Sequence, residues 1–405
     1  MKRLAATVLV LALIALSSVA SAGRYIPGNA LRVGVRNAGM GGNHIALSGH
    51  LAQALINPAG ILLDRNSTQF GAEGFVTDGP EFDTRGGRNR LRSETDNPPL
   101  FLGFSTTYAE DYAFALFDAL RYNAHFTGSL GALDDPRVAI ADYEEDTRLN
   151  TTGFAAAVRV RPRVVVGLGL YLDRQKTFKR ADYVSNDTIP DLDFEAFGTA
   201  NTLHGALGLI WSPKGKTTYA LSFLTQADLE NNVTLHTFRV GFVDSTNNNS
   251  FFNESFPVSS DAFPWSVTIG VHRPVSDATD AYADVSYVNW GVEANRNGEL
   301  TVAAGGEWRA GEKGTLRAGF YTQSDPSEYD VIPGATEEDR RLFDLRSATA
   351  SAYSDKNSEV FLAAGGGYRM GSFSIDLSIE DSHLISDYGR TLVKIGLTGR
   401  LLNNL

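Results

Sequence analysis

The chain has 405 residues, a formal net charge of −11 and no cysteine. So acidic a chain is a poor partner for nucleic acid. The absence of cysteine excludes a disulfide framework, a thiolate metal site, a cysteine nucleophile and a lipidated N-terminal cysteine, so the fold must be held by sheet and core.

Residues 1–22 read as an export signal: Lys2 and Arg3 give a positive start, Leu4 to Leu16 an apolar run, and Ala20-Ser21-Ala22 a small-residue cleavage site. After them no run approaches the roughly 18 apolar residues that a membrane helix needs, so the exported chain is either soluble or crosses a membrane as a β-barrel. Next comes "GMGGNHIALSGHLAQALINPAG", Gly39 to Gly60, with a glycine cluster at Gly39, Gly41 and Gly42, a short apolar run, and Asn57-Pro58-Ala59. An isolated helix below roughly 12–15 residues is marginal in water, so this segment must be held by the rest of the chain.

From residue 67 onward the dominant pattern is alternation. In "FSIDLSIED" Phe373, Ile375, Leu377 and Ile379 share one face while Ser374, Asp376, Ser378 and Glu380 share the other, which is the period of a strand. The pattern predicts strands near 67–77, 99–108, 112–122, 149–160, 163–173, 197–211, 216–226, 263–273, 279–290, 299–309, 314–323, 358–369, 372–381 and 391–402. Connections alternate long and short through the first half: 78–98, 123–148, 174–196 and 227–262 are long, whereas 109–111, 161–162, 212–215 and 274–278 are short. Tight turns at one end, extended loops at the other and an even strand count are the marks of an outer-membrane barrel, and they place the tight turns on the periplasmic side. Trp211, Trp265, Trp290 and Trp308 all fall at strand ends, where an interfacial aromatic belt belongs. A soluble β-sandwich or β-helix would alternate too, but it would have to cover its oily face with a second layer.

Motifs for chemistry are poor. The seven histidines show no zinc-protease spacing, no G-x-S-x-G elbow occurs, and the glycine runs lack the lysine of a phosphate loop, so neither enzyme activity nor a metal or cofactor is expected. Asp187, Asp191, Asp193 and Glu195 read as a solvated acidic loop rather than a calcium site. More informative is "STNNNSFFNESFP", where Phe251, Phe252 and Phe256 stand among asparagine and serine in the predicted outer loop 227–262. Clustered aromatics facing water mark contact with a ligand, a partner or the membrane. With Phe178 of the neighbouring loop they are the candidate ligand-binding residues of a greasy mouth, or else pack loop on loop.

Four stretches in order, "AGMGGNHIAL…LINPAG", "FPWSVTIGVHRPVSDATDAYADVSYVNWG", "GGEWRAGEKGTLRAGFYTQSDP" and "AAGGGYRMGSFSIDLSIED", together resemble the FadL/TodX-type outer-membrane hydrocarbon transport family. The resemblance implies an all-β fold, a 14-stranded antiparallel transmembrane β-barrel over residues 67–405, with residues 23–66 folded into the lumen as an N-terminal hatch. Gly39, Gly41, Gly42, Asn57, Pro58 and Ala59 are then the hatch and gating residues. The function implied is passive transport of a hydrophobic small molecule, a long-chain fatty acid or hydrocarbon, in the bacterial outer membrane, with release sideways through the wall. Expected partners are that ligand, outer-membrane lipid and lipopolysaccharide, and the chain is expected to act as a monomer. The opening "RVGVRNAGMGG" is also similar to barrels that serve protein secretion, which leaves a scaffold or shuttle for secreted proteins as the alternative.

Overall fold

The computed structural model describes residues 32–62, 66–78, 81–83, 90–93, 99–128, 131–132, 138–185, 191–241, 254–289, 298–323, 359–385 and 391–402. The extended segments, in chain order, are β1 (Ser67–Asp78), β2 (Glu81–Asp83), β3 (Arg90–Ser93), β4 (Pro99–Tyr108), β5 (Tyr112–Gly128), β6 (Gly131–Ala132), β7 (Val138–Arg161), β8 (Val164–Ser185), β9 (Asp191–Trp211) and β10 (Thr218–Leu224). They continue with β11 (Ala227–Gly241), β12 (Glu254–Phe263), β13 (Ser266–Pro274), β14 (Thr279–Asn289), β15 (Gly298–Ala310), β16 (Gly314–Gln323), β17 (Glu359–Met370), β18 (Phe373–Asp381) and β19 (Thr391–Leu402). All belong to one sheet. β10 with β11 and β12 with β13 each make one crossing, and β2, β3 and β6 are short additions at the long-loop end, so the sheet is a closed antiparallel barrel of 14 strands. Closure is made by β1 on β19, in register from Ser67 opposite Leu402 to Asp78 opposite Thr391.

The barrel is inside out relative to a soluble sandwich. On β18 the side chains of Ile375, Leu377 and Ile379 are exposed, whereas Asp376, Ser378 and Glu380 are buried toward the lumen. The same holds around the wall, with Leu168, Leu203, Ile269 and Leu300 facing out. Closing the sheet satisfies every strand through its neighbours, the condition for crossing lipid without an exposed edge. At the short-turn end Trp211 stacks on Tyr219 with ring centroids 5.6 Å apart, both exposed on the outer face. Trp308 is likewise exposed there, and Trp265 lies between Phe223 and Tyr287. Trp290 is outside the described residues.

The predicted strands are found where alternation placed them, but six run well past their expected outer ends: β5 continues to Gly128, β7 begins at Val138, β8 continues to Ser185, β9 begins at Asp191, the strand expected to end at 226 continues through β11 to Gly241, and the one expected to begin at 263 begins with β12 at Glu254. The predicted loops 123–148, 174–196 and 227–262 are thus largely hairpin. The reason is solvation. Above the lipid both faces of a hairpin meet water, so the sequence there has no period to read, while the ladder persists and sets opposite charges across it, as with Glu144 opposite Arg180. The proposed signal at residues 1–22 lies outside the described residues.

Candidate functional site

Residues 33–62 lie inside the barrel, and nearly all of them are buried. Their regular elements are α1 (Val35–Ala38), α2 (Gln53–Ile56) and a single 3-10 turn at Pro58–Ile61. Elements of four residues have no stability of their own, so contacts with the wall must hold them. Asn57 joins α2 to the turn. Its backbone is extended at φ −149°, its Oδ1 accepts from Ala59 N at 3.2 Å, and its Nδ2 donates to Ile45 O at 2.8 Å. Pro58 follows at the first position of the turn, where a fixed φ and a missing donor cost nothing.

The segment is seated on glycines of the wall. The Met40 carbonyl lies so close to β15 and β16 that a Cβ on Gly305 or Gly319 would stand 1.9 or 1.8 Å from its oxygen. On a distant arc of the barrel, a Cβ on Gly167 of β8 or Gly208 of β9 would stand 2.1 Å from Ala59 N or from Asn57 Oδ1. The plug therefore spans the lumen and rests backbone to backbone on both sides. Gly41 adds a conformational requirement, since its φ of +78° favours glycine and its own Cβ would meet Phe320 N at 2.2 Å.

Two kinds of force hold the two halves. Toward the N-terminus the ties are ionic: Arg36 donates to both oxygens of Glu307 at 2.9 and 2.8 Å, Glu307 also accepts from Arg317 at 2.7 Å, and Arg317 reaches Asp376 at 2.6 Å. His44 Nδ1 meets Asp284 Oδ2 at 2.7 Å, and Gly34 N donates to Glu73 Oε2 at 2.7 Å. The second half is held mainly by apolar packing, with Leu51, Ala54, Leu55 and Ile61 clustered with Phe101, Phe117 and Ile210. Wall side chains add bonds to plug carbonyls, Tyr171 OH to Ala54 O and Ser222 Oγ to Ile56 O, both 2.6 Å. His50, half-buried, has its pKa pushed down to about 3, first by burial and then by the charges of Arg36 and Arg317.

A second polar cluster lines one side of the lumen, on the neighbouring strands β5, β7, β8 and β9. Asp173 receives Arg121 at 3.3 Å, His204 at 3.1 Å and the Thr151 hydroxyl at 2.5 Å. The Arg121 guanidinium also lies 4.0 Å from the centroid of Phe263, within an apolar group that includes Tyr122, Leu149 and Leu229. Arg121 stands where the register of β5 on β7 shifts, between Leu120 and Tyr122.

Every residue singled out in the N-terminal segment is in the plug: Gly39, Gly41, Gly42, Asn57, Pro58 and Ala59 are all buried there. The aromatic group fares differently. Phe178 is on strand β8, opposite Phe197 of β9 with ring centroids 4.9 Å apart, and Phe256 is on strand β12 opposite Val233, so neither stands in a loop. Phe251 and Phe252 are outside the described residues. The ionic ties and the glycine seats were not anticipated. The seats had a signal, for an inward-facing glycine within a strand marks the close approach of another backbone. The charge pairs had none, since their partners lie as far as 271 residues apart in sequence.

No family model matches the chain, and no curated protein is similar to it in sequence. Solved structures are similar in fold. A Pseudomonas aeruginosa FadL homologue superposes with a TM-score of 0.64 at 13% identity, covering 92% of this chain and 99% of that one. The Ralstonia pickettii toluene transporter TbuX superposes at 0.62 with 15% identity, covering 92% and 99%, and the Pseudomonas putida toluene transporter TodX at 0.62 with 14%, covering 91% and 97%. The chain has the FadL/TodX-type fold. That fold accounts for the 14-stranded wall and spans nearly the whole of each protein compared.

Proposed function

We propose that the protein is a passive channel of the bacterial outer membrane for a hydrophobic small molecule, with residues 33–62 as its hatch. The observation that carries this reading is the plug itself: a segment without stability of its own, seated across the lumen of a barrel whose wall closes independently of it. A membrane barrel built only for stability needs no such obstruction, and a water-filled pore would lose its function to one. The likeness in fold to hydrocarbon transporters supports the same reading.

Lumen charge favours the hydrocarbon over the fatty acid. Among the described residues the buried carboxylates are Asp173, Asp280, Asp284, Glu299, Glu307, Glu359, Asp376 and Glu380, against the buried cations Arg121, Arg317 and Lys394 and the half-buried Arg36 of the plug. A carboxylate passing through would meet a net repulsive field, whereas an uncharged molecule would meet none. The test is protein-dependent uptake by cells of a labelled monoaromatic hydrocarbon and a labelled long-chain fatty acid. Uptake of the hydrocarbon at several times the rate of the fatty acid is expected. The reverse order would sink the charge argument, and uptake of neither would sink the transport reading.

A further inference from the structure

One arc of the rim made by the short turns is predominantly basic, although the chain as a whole is acidic and Glu110, Asp111, Asp277 and Glu312 are also exposed on short turns. Arg161, Arg163, Lys214, Lys216 and Arg273 are exposed there. Strand register brings them side by side: Val164 of β8 pairs with Trp211 of β9, Trp211 with Tyr219 of β10, and Thr218 of β10 with His272 of β13. At the end of the β10 and β13 pair lies an open cleft of about 500 Å³ lined by Lys216, Thr217, Arg273, Pro274 and Val275. Neither Lys216 nor Arg273 is paired with a carboxylate among the described residues. The nearest buried acid, Asp280, is already engaged by Arg309 at 2.8 Å and His272 at 3.1 Å. The cleft thus presents two cations, a hydroxyl and a short apolar edge.

Its height on the barrel is marked by its neighbours. Tyr219 and Trp211, the stacked pair of the outer face, are on the strands that lead into it. Aromatic side chains of this kind settle at the level of lipid headgroups. Above the cleft the exposed column continues with Leu221 opposite Ile269, both facing out into the hydrocarbon zone. From the rim upward the order is cations, aromatic ring, aliphatic side chains, which is the order of phosphate, glycerol and acyl chain in the adjoining leaflet.

We propose that this cleft binds an anionic phospholipid, with Lys216 and Arg273 on its phosphate and its chains along Leu221 and Ile269. A guanidinium and an ammonium converging on phosphate oxygens make charge-assisted hydrogen bonds, and a headgroup lacking a compensating amine keeps the full attraction. The site lies outside the lumen and does not depend on what the channel carries. Bound lipid ties the barrel at a fixed depth on the side nearest the interrupted strand β10 and β11.

The test uses the full chain, purified in neutral detergent and examined by native mass spectrometry with phosphatidylglycerol, phosphatidylethanolamine of the same chains, or inorganic phosphate. Phosphatidylglycerol should be retained about tenfold more than phosphatidylethanolamine. The Lys216→Ala/Arg273→Ala double variant should bring the two to the same level, with the barrel's heat-dependent gel shift unchanged. A Lys216→Gln/Arg273→Gln double variant, which keeps the side-chain stems, should do the same and replaces the alanine variant if that one folds poorly. Equal retention of both lipids by the unaltered protein, or undiminished phosphatidylglycerol in the variants, overturns the proposal. Displacement of phosphatidylglycerol by millimolar inorganic phosphate assigns the cleft to a soluble anion and overturns the lipid assignment.

Discussion

Arg36 ties plug to wall through two hydrogen bonds to one carboxylate, and its place in a chain of charges decides what its loss would do. Removing it leaves Glu307 still bound by Arg317, so no buried carboxylate is stranded. Arg36→Ala should therefore loosen the plug by about 1.5–3 kcal/mol, the range for hydrogen bonds to charged groups, without unfolding the wall. Arg317→Ala differs, because it strips a partner from both Glu307 and Asp376, and about 3–5 kcal/mol is expected for breaking a buried pair. Channel recordings in planar bilayers should show frequent openings for the first variant, and thermal melts a marked loss for the second. His50 adds a pH dependence whose sign follows from its lowered pKa of about 3, against an ordinary value of 6.5. Displaced from its site, the ring binds a proton more readily than when seated, so its contribution to seating is complete above about 6.5 and declines as pH falls toward about 3. Recordings at about pH 7 and about pH 4.5 should show more openings at the lower value, and His50→Gln should reduce that difference.

Among the elements, the glycine-bearing strands β8, β9, β15 and β16 matter most to the plug, because they shape the surface on which it sits. A methyl group on Gly319 would lie 1.8 Å from the Met40 carbonyl, with no side chain free to yield, whereas one on Gly74 of β1 would meet nothing within 4 Å. Gly319→Ala should expel or shift the plug and raise conductance, and Gly74→Ala should leave it unchanged. Both should keep the gel shift of a folded barrel. Equal conductance in the two variants would mean that the seat does not position the hatch. The strands themselves were legible, since one face meets lipid and the other a polar lumen, and β19 falls at the residues that alternation gave it. Their outer extensions were not, because a hairpin wetted on both faces has no period. Of the plug, Asn57-Pro58-Ala59 could be read from local turn chemistry, while Arg36 to Glu307 and His44 to Asp284 are contacts that only the closed barrel creates.

Across the whole molecule, wall and plug are separable in kind. The wall is a ring of strand ladders completed by β1 on β19, and no ladder passes through the plug. The plug in turn supplies much of the apolar interior, including Leu51, Ala52, Ala54, Leu55, Ile61 and Leu62, packed against wall residues that line the lumen. Deleting residues 33–62 should accordingly leave a barrel that forms but melts at a lower temperature, because Phe101, Phe117 and Ile210 lose the apolar side chains they are buried against. Elsewhere the lumen wall is polar, with Asp284, Glu299, Glu307, Asp376 and Lys394 buried and turned inward, so water should fill it once the plug is gone. If the proposed hatch function holds, the deletion variant is expected to behave as a general pore: a steady conductance in planar bilayers, cation-selective from the excess of carboxylates, and greater sensitivity of cells to hydrophilic antibiotics than with the unaltered protein. A deletion variant that keeps its gel shift but neither conducts nor sensitises would place the barrier in the outer hairpins and remove the plug from its role as hatch.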